Sequence, residues 1–438
     1  MVDFVKNVRF VTIPFAPLAK VAVFKNGGQA VLLDVSLEEA QQLLLQNLTP
    51  PATEKLSILD ASGRVLAENL VAGENLPAWS SGARDGYVLH AGDLDGYRKL
   101  AIISSLPAEQ LPLTLNSGET VEVRTGEAIP KGSAALVPHE KVEIGETEIY
   151  LEKAVRAGEF IRQAGEDFKA GELYAQEGSK ISPGLISVLA AQGRSEVQVY
   201  SSPRVAILSL GERLLSWKET PGPGCLRDSN GPLLAALARR DGAKIAALNV
   251  VGSKGRAELV AYIREILEEA DLLITIGGTY ARKEAQTKSL FTEMGGEMLF
   301  WGVSIQPGGH NGAALWNKKC LISLSGNPAA CAVGYELLVA PVIRALQEKE
   351  PYTPRVKAQC LDNIGAKGSE RRFVRSYLTT DGSIWRVKVL PGQKPGMIRS
   401  LVNCNALIDL PAGNPAIAAG TLVSVILLDP SSIRLEQV

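Results

Sequence analysis

Several short loops of this chain place glycines and small polar residues directly after apolar segments, where a ligand can reach them. Gly277-Gly278 follows the largely apolar run Leu272–Ile276, and glycines at such a position let an anionic ligand approach backbone N–H groups. Ser209-Leu210-Gly211 and Ser325-Gly326-Asn327-Pro328 follow apolar runs of the same kind. Each loop alone is also an ordinary turn, so the chemistry depends on whether the loops meet in the fold.

Other loops carry carboxylates or hydroxyls, and each has a structural explanation beside the chemical one. Asp85-Gly86 is a common turn pair, Thr125-Gly126 is equally ordinary, and Gly165-Glu166-Asp167 has the composition of a solvated loop. Asp228-Ser229-Asn230 precedes a predicted helix, where capping alone explains it. The sequence shows no P-loop, GxGxxG motif or catalytic triad, and Ser209 is not part of GxSxG, so a hydrolase is not indicated.

The pattern from residue 203 onward predicts the elements that must position these loops. Apolar runs typical of strands buried on both faces alternate with helical patterns, of which the first runs from Asn230, as a possible cap, to Arg240. The fold class is therefore multidomain α/β, with a doubly wound, mostly parallel sheet and right-handed crossovers. Ligands bind such sheets beyond the carboxyl ends of the strands, so the loops at Ser209, Gly277 and Asn327 should line one rim.

The rest of the chain reads as smaller domains. Strands are predicted at Val8–Ile13 and Val21–Phe24, and a capping box of Ser36 and Glu39 begins a helix that Pro50-Pro51 should end. The predicted layout is an N-terminal extension (1–34), a split helical or linker domain (35–70 and 155–202), an inserted β domain (71–154), the α/β domain (203–350) and a C-terminal β domain (351–438).

Composition narrows the class of protein. The 438 residues carry a net charge of -1 and are 46% hydrophobic and 21% charged, so no overall basic charge recruits nucleic acid or an anionic membrane. The five cysteines form no CxxC pair, which favours reduced thiols and a cytoplasmic location over disulfides or structural zinc. We expect neither a signal peptide nor a run of about 18 apolar residues that spans a membrane.

Eight segments occur in the order and spacing of the motifs of one enzyme family. They are Ala83–Val88 (ARDGYV), Thr125–Ala128 with Pro130 and Gly132, Arg162 with Gly165–Asp167, Ala206–Leu214 (AILSLGERL), Asp228–Asn230 (DSN), Ile274–Gly278 (ITIGG), Gln306–Gly309 (QPGG) and Leu324–Pro328 (LSGNP). Together they resemble the molybdopterin molybdenumtransferase family, MoeA and the gephyrin E domain, from about residue 35 to the C-terminus.

The resemblance implies a function and a site. Members insert molybdate or tungstate into adenylylated molybdopterin, release AMP, use Mg²⁺ and form elongated homodimers, and other cofactor-assembly proteins are possible partners. It implies that Asp85, Thr125 and Asp167 form the oxyanion and metal site, with Asp85 and Asp167 as metal ligands. The residues implied to hold the pterin nucleotide are Ser209, Gly211, Asp228, Asn230, Gly277, Gly278, Pro307, Gly308, Gly326, Asn327 and Pro328.

The sequence departs from the family pattern mainly where the family carries charge. Acidic positions are occupied by Arg213, Ser253-Lys254 and Ala285, and the lysines around "KPGKP" by Gly302, Gln306 and Gly309; Ser325 and Ala330 replace a proline and a serine. Loss of carboxylates should weaken Mg²⁺ binding, and each lost charge-assisted contact is worth about 1.5–3 kcal/mol.

Three readings of these departures remain open. The chain is an impaired transferase, a non-catalytic paralogue that acts as a pterin-binding scaffold or partner, or an enzyme for a different anion or pterin. Glu212, Arg213, Arg282, Lys283 and Glu284 are candidate replacements for the missing charges.

Overall fold

A computed structural model of the chain describes residues 22–26, 29–103, 114–252, 254–279, 285–366 and 368–435. The strand predicted at Val8–Ile13 lies outside these residues, as do Ser253 and the segment Arg282-Lys283-Glu284. The chain forms two compact units: a larger unit of the residues up to Ala52 and from Ser201 on, and an inserted unit, Thr53–Tyr200.

The larger unit begins with a hairpin and a helix: β1 (Ala22–Asn26), β2 (Gln29–Val35) and α1 (Leu37–Gln46). Ser36 and Glu39 form the predicted capping box, and α1 buries its apolar face in the core of this unit. The helix ends at Gln46, before Pro50-Pro51, so the prediction that the prolines end it was wrong. Its last turn is closed by backbone bonds from Asn47 instead.

The inserted unit is mostly short strands, as the Gly- and Pro-rich sequence predicts. The strands are β3 (Thr53–Ser57), β4 (Leu70–Val71), β5 (Ser81–Gly82), β6 (Gly86–His90), β7 (Arg98–Ile102), β8 (Glu119–Val123), β9 (Ser133–Pro138), β10 (Glu143–Ile144), β11 (Glu148–Leu151), β12 (Ile161–Arg162), β13 (Leu173–Ala175) and β14 (Glu196–Tyr200). The largest sheet among them has six strands in the order β10-β11-β7-β8-β6-β9. Helix α2 (Pro183–Ala191) is capped by the Ser182 hydroxyl.

The predicted α/β domain follows in the larger unit. Its elements are β15 (Arg204–Leu210), β16 (Leu214–Leu215), β17 (Leu226–Arg227), α3 (Asn230–Arg240), β18 (Lys244–Val251), α4 (Arg256–Glu269), β19 (Leu272–Ile276), α5 (Gln286–Glu293), β20 (Glu297–Val303), β21 (Ile305–Gln306), β22 (Gly312–Trp316), β23 (Lys319–Leu324), α6 (Pro328–Gly334) and α7 (Ala340–Ala345). The eight-stranded sheet has the order β1-β2-β20-β22-β23-β19-β15-β18. β18, β15, β19 and β23 are parallel, whereas β22 is antiparallel to both of its neighbours.

A π-helical turn, Tyr335–Val339, joins α6 and α7 into one continuous segment. The stretch Pro328–Ala345 is apolar and long enough to cross a membrane by length and composition, which the sequence analysis did not anticipate. Within the protein 83% of it is buried, and it packs in the core of the larger unit with the apolar face of α1.

The C-terminal β domain is a sheet that closes on itself. Its strands are β24 (Arg355–Cys360), β25 (Arg371–Thr380), β26 (Trp385–Val389), β27 (Ala406–Leu410), β28 (Leu422–Leu427) and β29 (Arg434–Leu435). β25 pairs with both β26 and β27, which closes the sheet, and also with β21 of the α/β domain. Phe373, Leu407 and Ile426 lie in the same hydrophobic cluster as α1 and the α/β domain, so these parts share one core.

Candidate functional site

The three loops predicted to share a rim do meet beyond the ends of β15, β19 and β23. The Gly277 amide donates to the Leu324 carbonyl at 2.9 Å. A Cβ on Gly277, whose φ is +87°, would lie 2.8 Å from the Leu210 carbonyl oxygen, and a Cβ on Gly326 would lie 3.5 Å from the Gly277 Cα. The loops therefore touch through their backbones, and only glycine fits the closest of these approaches.

A buried hydrogen-bond chain supports this rim from below. The Ser209 hydroxyl donates to Asp228 Oδ2 at 2.7 Å, and Asp228 Oδ1 accepts the amides of Asn230 and Gly231 at 3.0 and 2.9 Å. Asp228 thus caps α3 with its side chain. The prediction that Asn230 caps this helix was wrong, because Asn230 is already helical and its Nδ2 donates instead to the Gly326 carbonyl at 2.8 Å.

Two asparagines at the rim carry polar atoms that the described residues leave without a side-chain role. Asn230 is 7% exposed, and its Oδ1 has no hydrogen-bond partner within the described residues. A buried acceptor without a donor is costly, so a ligand N–H or O–H, or water, suits this position. On the neighbouring loop, the exposed Asn327 precedes Pro328 at the start of α6 and makes no side-chain cap there.

Asn311 is a residue that the sequence analysis missed. It is fully buried, and its Oδ1 accepts the Ser325 amide at 3.0 Å, while its own amide donates to Gly308 at 3.2 Å. It therefore ties the Pro307-Gly308 loop to the loop after β23. The sequence signal is weak, because a single asparagine between glycines, as in His310-Asn311-Gly312, reads as a turn.

The C-terminal domain also reaches the rim, through the loop Gly392–Ser400. The Ala329 amide at the start of α6 donates to the Pro395 carbonyl at 3.3 Å. Behind this loop lies Arg375, which is 1% exposed and donates to the Ser400 hydroxyl at 2.7 Å and to the Gly392 carbonyl at 3.4 Å. No carboxylate pairs with it among the described residues, and burial lowers the pKa of its guanidinium.

In the inserted unit, Asp85 and Thr125 are in direct contact. Asp85 Oδ1 accepts the Thr125 amide at 2.7 Å and the Thr125 hydroxyl at 2.8 Å. These two bonds, with the amide the stronger influence, hold the pKa of the Asp85 carboxyl below its ordinary value. A Cβ on the adjacent Gly86 would lie 2.2 Å from the Val137 carbonyl oxygen. Gly86 begins strand β6, so packing against β9, and not a turn, requires glycine here.

Asp167 lies in a loop that packs on the same inserted unit but has a different partner. Its carboxylate pairs with Arg162 at 2.5 Å, and its amide donates to the Leu76 carbonyl. β5 links the two loops, because Ser81-Gly82 pairs with Ile161-Arg162 while the Gly82 carbonyl accepts the Gly126 amide. Asp85 and Asp167 thus sit on connected loops, and no group of three His, Cys, Asp or Glu side chains in the described part of the chain converges as a metal site.

The departures from the family pattern have distinct environments. Gly302 has φ +92°, and a Cβ there would lie 2.4 Å from Asp34 Oδ1 on the N-terminal hairpin. Ala285 is 1% exposed, whereas Arg213 and Gln306 are exposed. A side chain at 302 therefore needs a left-handed backbone and a shift of the Asp34 carboxylate, whereas the side chains at 213 and 306 point into open surface.

Family models match the chain in three consecutive regions. Residues 35–193 match the MoeA N-terminal region (domain I and II), residues 206–345 match the probable molybdopterin binding domain, and residues 357–428 match the MoeA C-terminal region (domain IV). The rim described above lies in the second region. These matches define a three-part protein built around a molybdopterin-binding type of α/β domain.

Individual relatives agree with this class over nearly the whole chain. The molybdopterin molybdenumtransferase of Staphylococcus epidermidis is 28% identical over 409 residues, which cover 92% of this chain and 97% of that protein; the enzyme of Staphylococcus aureus is also 28% identical. A molybdopterin biosynthesis MoeA structure from Pyrococcus horikoshii is similar with a TM-score of 0.79 and 25% identity, covering 90% of this chain and 99% of that one. The chain belongs to the MoeA family.

Proposed function

We propose that this protein works in molybdenum cofactor biosynthesis as a molybdopterin molybdenumtransferase, and that it inserts molybdate into adenylylated molybdopterin with release of AMP. One observation carries the proposal. Loops from three neighbouring parallel strands converge on one rim, where their glycine backbones touch and a buried Asn230 oxygen has no partner among the described residues. That is where ligands bind on doubly wound sheets.

Each residue of the rim has its own role in binding the ligand or in positioning another residue. Gly277 and Gly278 let the nucleotide approach the backbone of their loop closely, while the Gly277 amide itself stays bonded to the Leu324 carbonyl. A donor on the ligand or a bridging water satisfies the buried Asn230 Oδ1. Asp228 keeps Asn230 in place through the amide bond that starts α3. The Gly392–Ser400 loop borders the start of α6, with the buried positive charge of Arg375 behind it.

Magnesium belongs to the same proposal, and the donors on the inserted unit fit it in part. Asp85 offers an exposed carboxylate, held ionised by Thr125, and Mg²⁺ is usually bound by one or two carboxylates plus substrate phosphate oxygens. Asp167 would have to leave Arg162 before it could serve as a second ligand. When bound, the ion would neutralise negative charge on the oxyanion. The Asp85 carboxylate would hold the ion, and the two hydrogen bonds from Thr125 orient that carboxylate.

The direct test is AMP release from adenylylated molybdopterin with molybdate and Mg²⁺, followed by chromatography. The proposal expects slow release that requires Asp85, so Asp85→Asn should abolish it, while Asp95→Asn, an exposed carboxylate of the same unit paired with Arg98, should leave it unchanged. No release from the wild-type protein, with adenylylated molybdopterin still bound, would remove the enzymatic activity from the proposal.

A second candidate, a pterin-binding scaffold without turnover, is favoured by one specific observation. At position 302, where the family motif has a lysine, the backbone is left-handed and the Asp34 carboxylate fills the space of a side chain. This function predicts molybdopterin binding without AMP release, even at high molybdate concentration.

The assembly and location complete the proposal. We infer an elongated homodimer in the cytoplasm, as the family resemblance implies. Sedimentation velocity at micromolar concentration checks the dimer, and a compact monomer would contradict it. Running the AMP-release assay with molybdate and with tungstate measures which anion the protein prefers.

A further inference from the structure

Lys288 is a buried lysine without an anion in the described part of the chain. The residue is 6% exposed, and its ammonium forms no ion pair among the residues that the structure describes. Lysine is rarely buried to this extent unless it is paired, and burial here lowers the pKa of the ammonium. None of the hydrogen bonds that build the rim involves this ammonium group.

The position of Lys288 connects it with the glycine loop of the rim. It is the third residue of α5, and the residue before it, Thr287, packs on that loop: the Thr287 hydroxyl donates to the Gly277 carbonyl at 3.0 Å and its amide to the Gly278 carbonyl at 3.2 Å. Side chains on a helix lean toward its N-terminus, so Lys288 leans toward the end of α5 that touches the loop.

The start of α5 is unusually short of negative charge. Ala285 occupies the N-cap position and makes no side-chain cap, and the first turn holds no acidic residue. Residues three apart on a helix are neighbours, so the aspartate that the family motif places at 285 would stand beside Lys288. With Ala285 there instead, neither the lysine nor the partial positive charge of the helix N-terminus meets an anion among the described residues.

We propose that Lys288 and the first turn of α5 bind a tetrahedral oxyanion at the Gly277-Gly278 loop. The inference rests on the proposed function for the identity of the ligand, in which the oxyanion is either the phosphate of the pterin or molybdate. Lys288 would then supply a charge-assisted contact of the kind that the positions Gly302, Gln306 and Gly309 do not provide.

The test compares Lys288→Met with Lys388→Met by titration with molybdopterin and, separately, with molybdate alone, each at two ionic strengths. Lys388 is an exposed lysine on β26, so its variant matches the charge change away from the rim. We expect Lys288→Met to weaken binding about ten-fold or more and to flatten its salt dependence, whereas Lys388→Met does neither. A loss seen with molybdopterin alone identifies the phosphate, and a loss with molybdate alone identifies the metal oxyanion.

Thermal unfolding separates a binding role from a structural one. Methionine keeps the apolar stem and removes an unpaired buried charge, so Lys288→Met should melt at a higher temperature than wild type. Unchanged affinity of Lys288→Met for both probes would overturn the proposal and leave the proposed function intact. A lower melting temperature together with weaker binding would also overturn it, since Lys288 would then be structural. Failure of the wild-type protein to bind either probe would instead count against the proposed function.

Discussion

The rim of the α/β domain has two sides that differ in what their side chains do. On the Asp228 side, Ser209, Asp228 and Asn230 agree with the family motifs and are buried and hydrogen-bonded. On the 302–309 side, Gly302, Gln306 and Gly309 replace lysines. The side chains that match the family pattern are those that also hold the protein together. The altered positions are those where the family carries lysines, whose charges only a ligand would use.

The N-terminal hairpin accounts for part of this difference. β2 adds to the edge of the sheet beside β20, and Asp34 at its end occupies the space next to Gly302. The Ser304 hydroxyl and amide then bond to the carbonyls of Asp34 and Val35. The hairpin therefore lies against Gly302 and Ser304. None of these contacts reaches Ser209, Asp228 or Asn230.

Removing the central carboxylate of the Asp228 side should have the largest effect. Asp228→Ala leaves the Ser209 hydroxyl and two amides at the start of α3 without an acceptor, and we expect a loss of about 3 kcal/mol in the free energy of unfolding. Urea unfolding measures it. Asp228→Asn keeps an acceptor and should cost clearly less; equal losses for the two variants would contradict the hydrogen-bond argument.

The second largest loss in the free energy of unfolding is expected at Gly277, where two rim loops touch. Gly277→Ala combines a left-handed backbone with a Cβ that would lie 2.8 Å from the Leu210 carbonyl oxygen, so we expect a loss of about 2 kcal/mol or more. Gly63→Ala is the matched control, because Gly63 has φ +79° and no atom within 4 Å of an added Cβ; it should cost about 1 kcal/mol. Urea unfolding should rank the two variants in this order.

Restoring lysines on the altered side should separate blocked positions from open ones. Gly302→Lys should destabilise the protein by about 2 kcal/mol, because its Cβ collides with Asp34, and Asp34→Gly in the same chain should relieve part of this loss. Gln306→Lys should change the free energy of unfolding by less than about 0.5 kcal/mol and strengthen molybdate binding. If Gly302→Lys is as stable as Gln306→Lys, the hairpin does not block that position.

The smallest effect on stability is expected at Asp85, outside the rim. The folded protein holds the pKa of this carboxyl below its ordinary value, so its contribution to stability is present above the unfolded pKa of about 3.9 and is lost as pH falls through the lower folded pKa. Because this carboxyl is exposed, the stability difference between wild type and Asp85→Asn should be small. It should be largest at neutral pH and should vanish in acid. A difference that grows below about pH 4 would contradict this sign.

Much of the fold could be predicted from local patterns. Apolar runs predicted β15, β19 and β23, because a strand buried on both faces requires apolar residues throughout. Glycine positions predicted the loops after these strands, because left-handed backbone favours glycine. The eight motif segments then predicted the family and the rim. The capping box of Ser36 and Glu39 was predicted from spacing alone, since it involves residues only three apart.

Other features could not be predicted because their causes lie far apart in the chain. Whether Asn230 or Asp228 caps α3 depended on where the Gly326 carbonyl lies, 96 residues away. Arg375 became part of the site only because its loop contacts Ala329, and the strands alone did not indicate that the C-terminal domain shares a core with α1. The domain boundaries proposed from composition stay a prediction.

The sequence by itself determined the strands, the helices, the glycine loops and the family, since each is encoded by residue types at short spacing. Only the tertiary structure decided which charges have partners. Lys288 and Arg375 are ordinary basic residues in the sequence, and Asp34 is an ordinary turn residue. Burial without a carboxylate partner among the described residues distinguishes the first two, and contact with Gly302 distinguishes the third. Desolvation and close approach are properties of packed neighbours and not of local sequence.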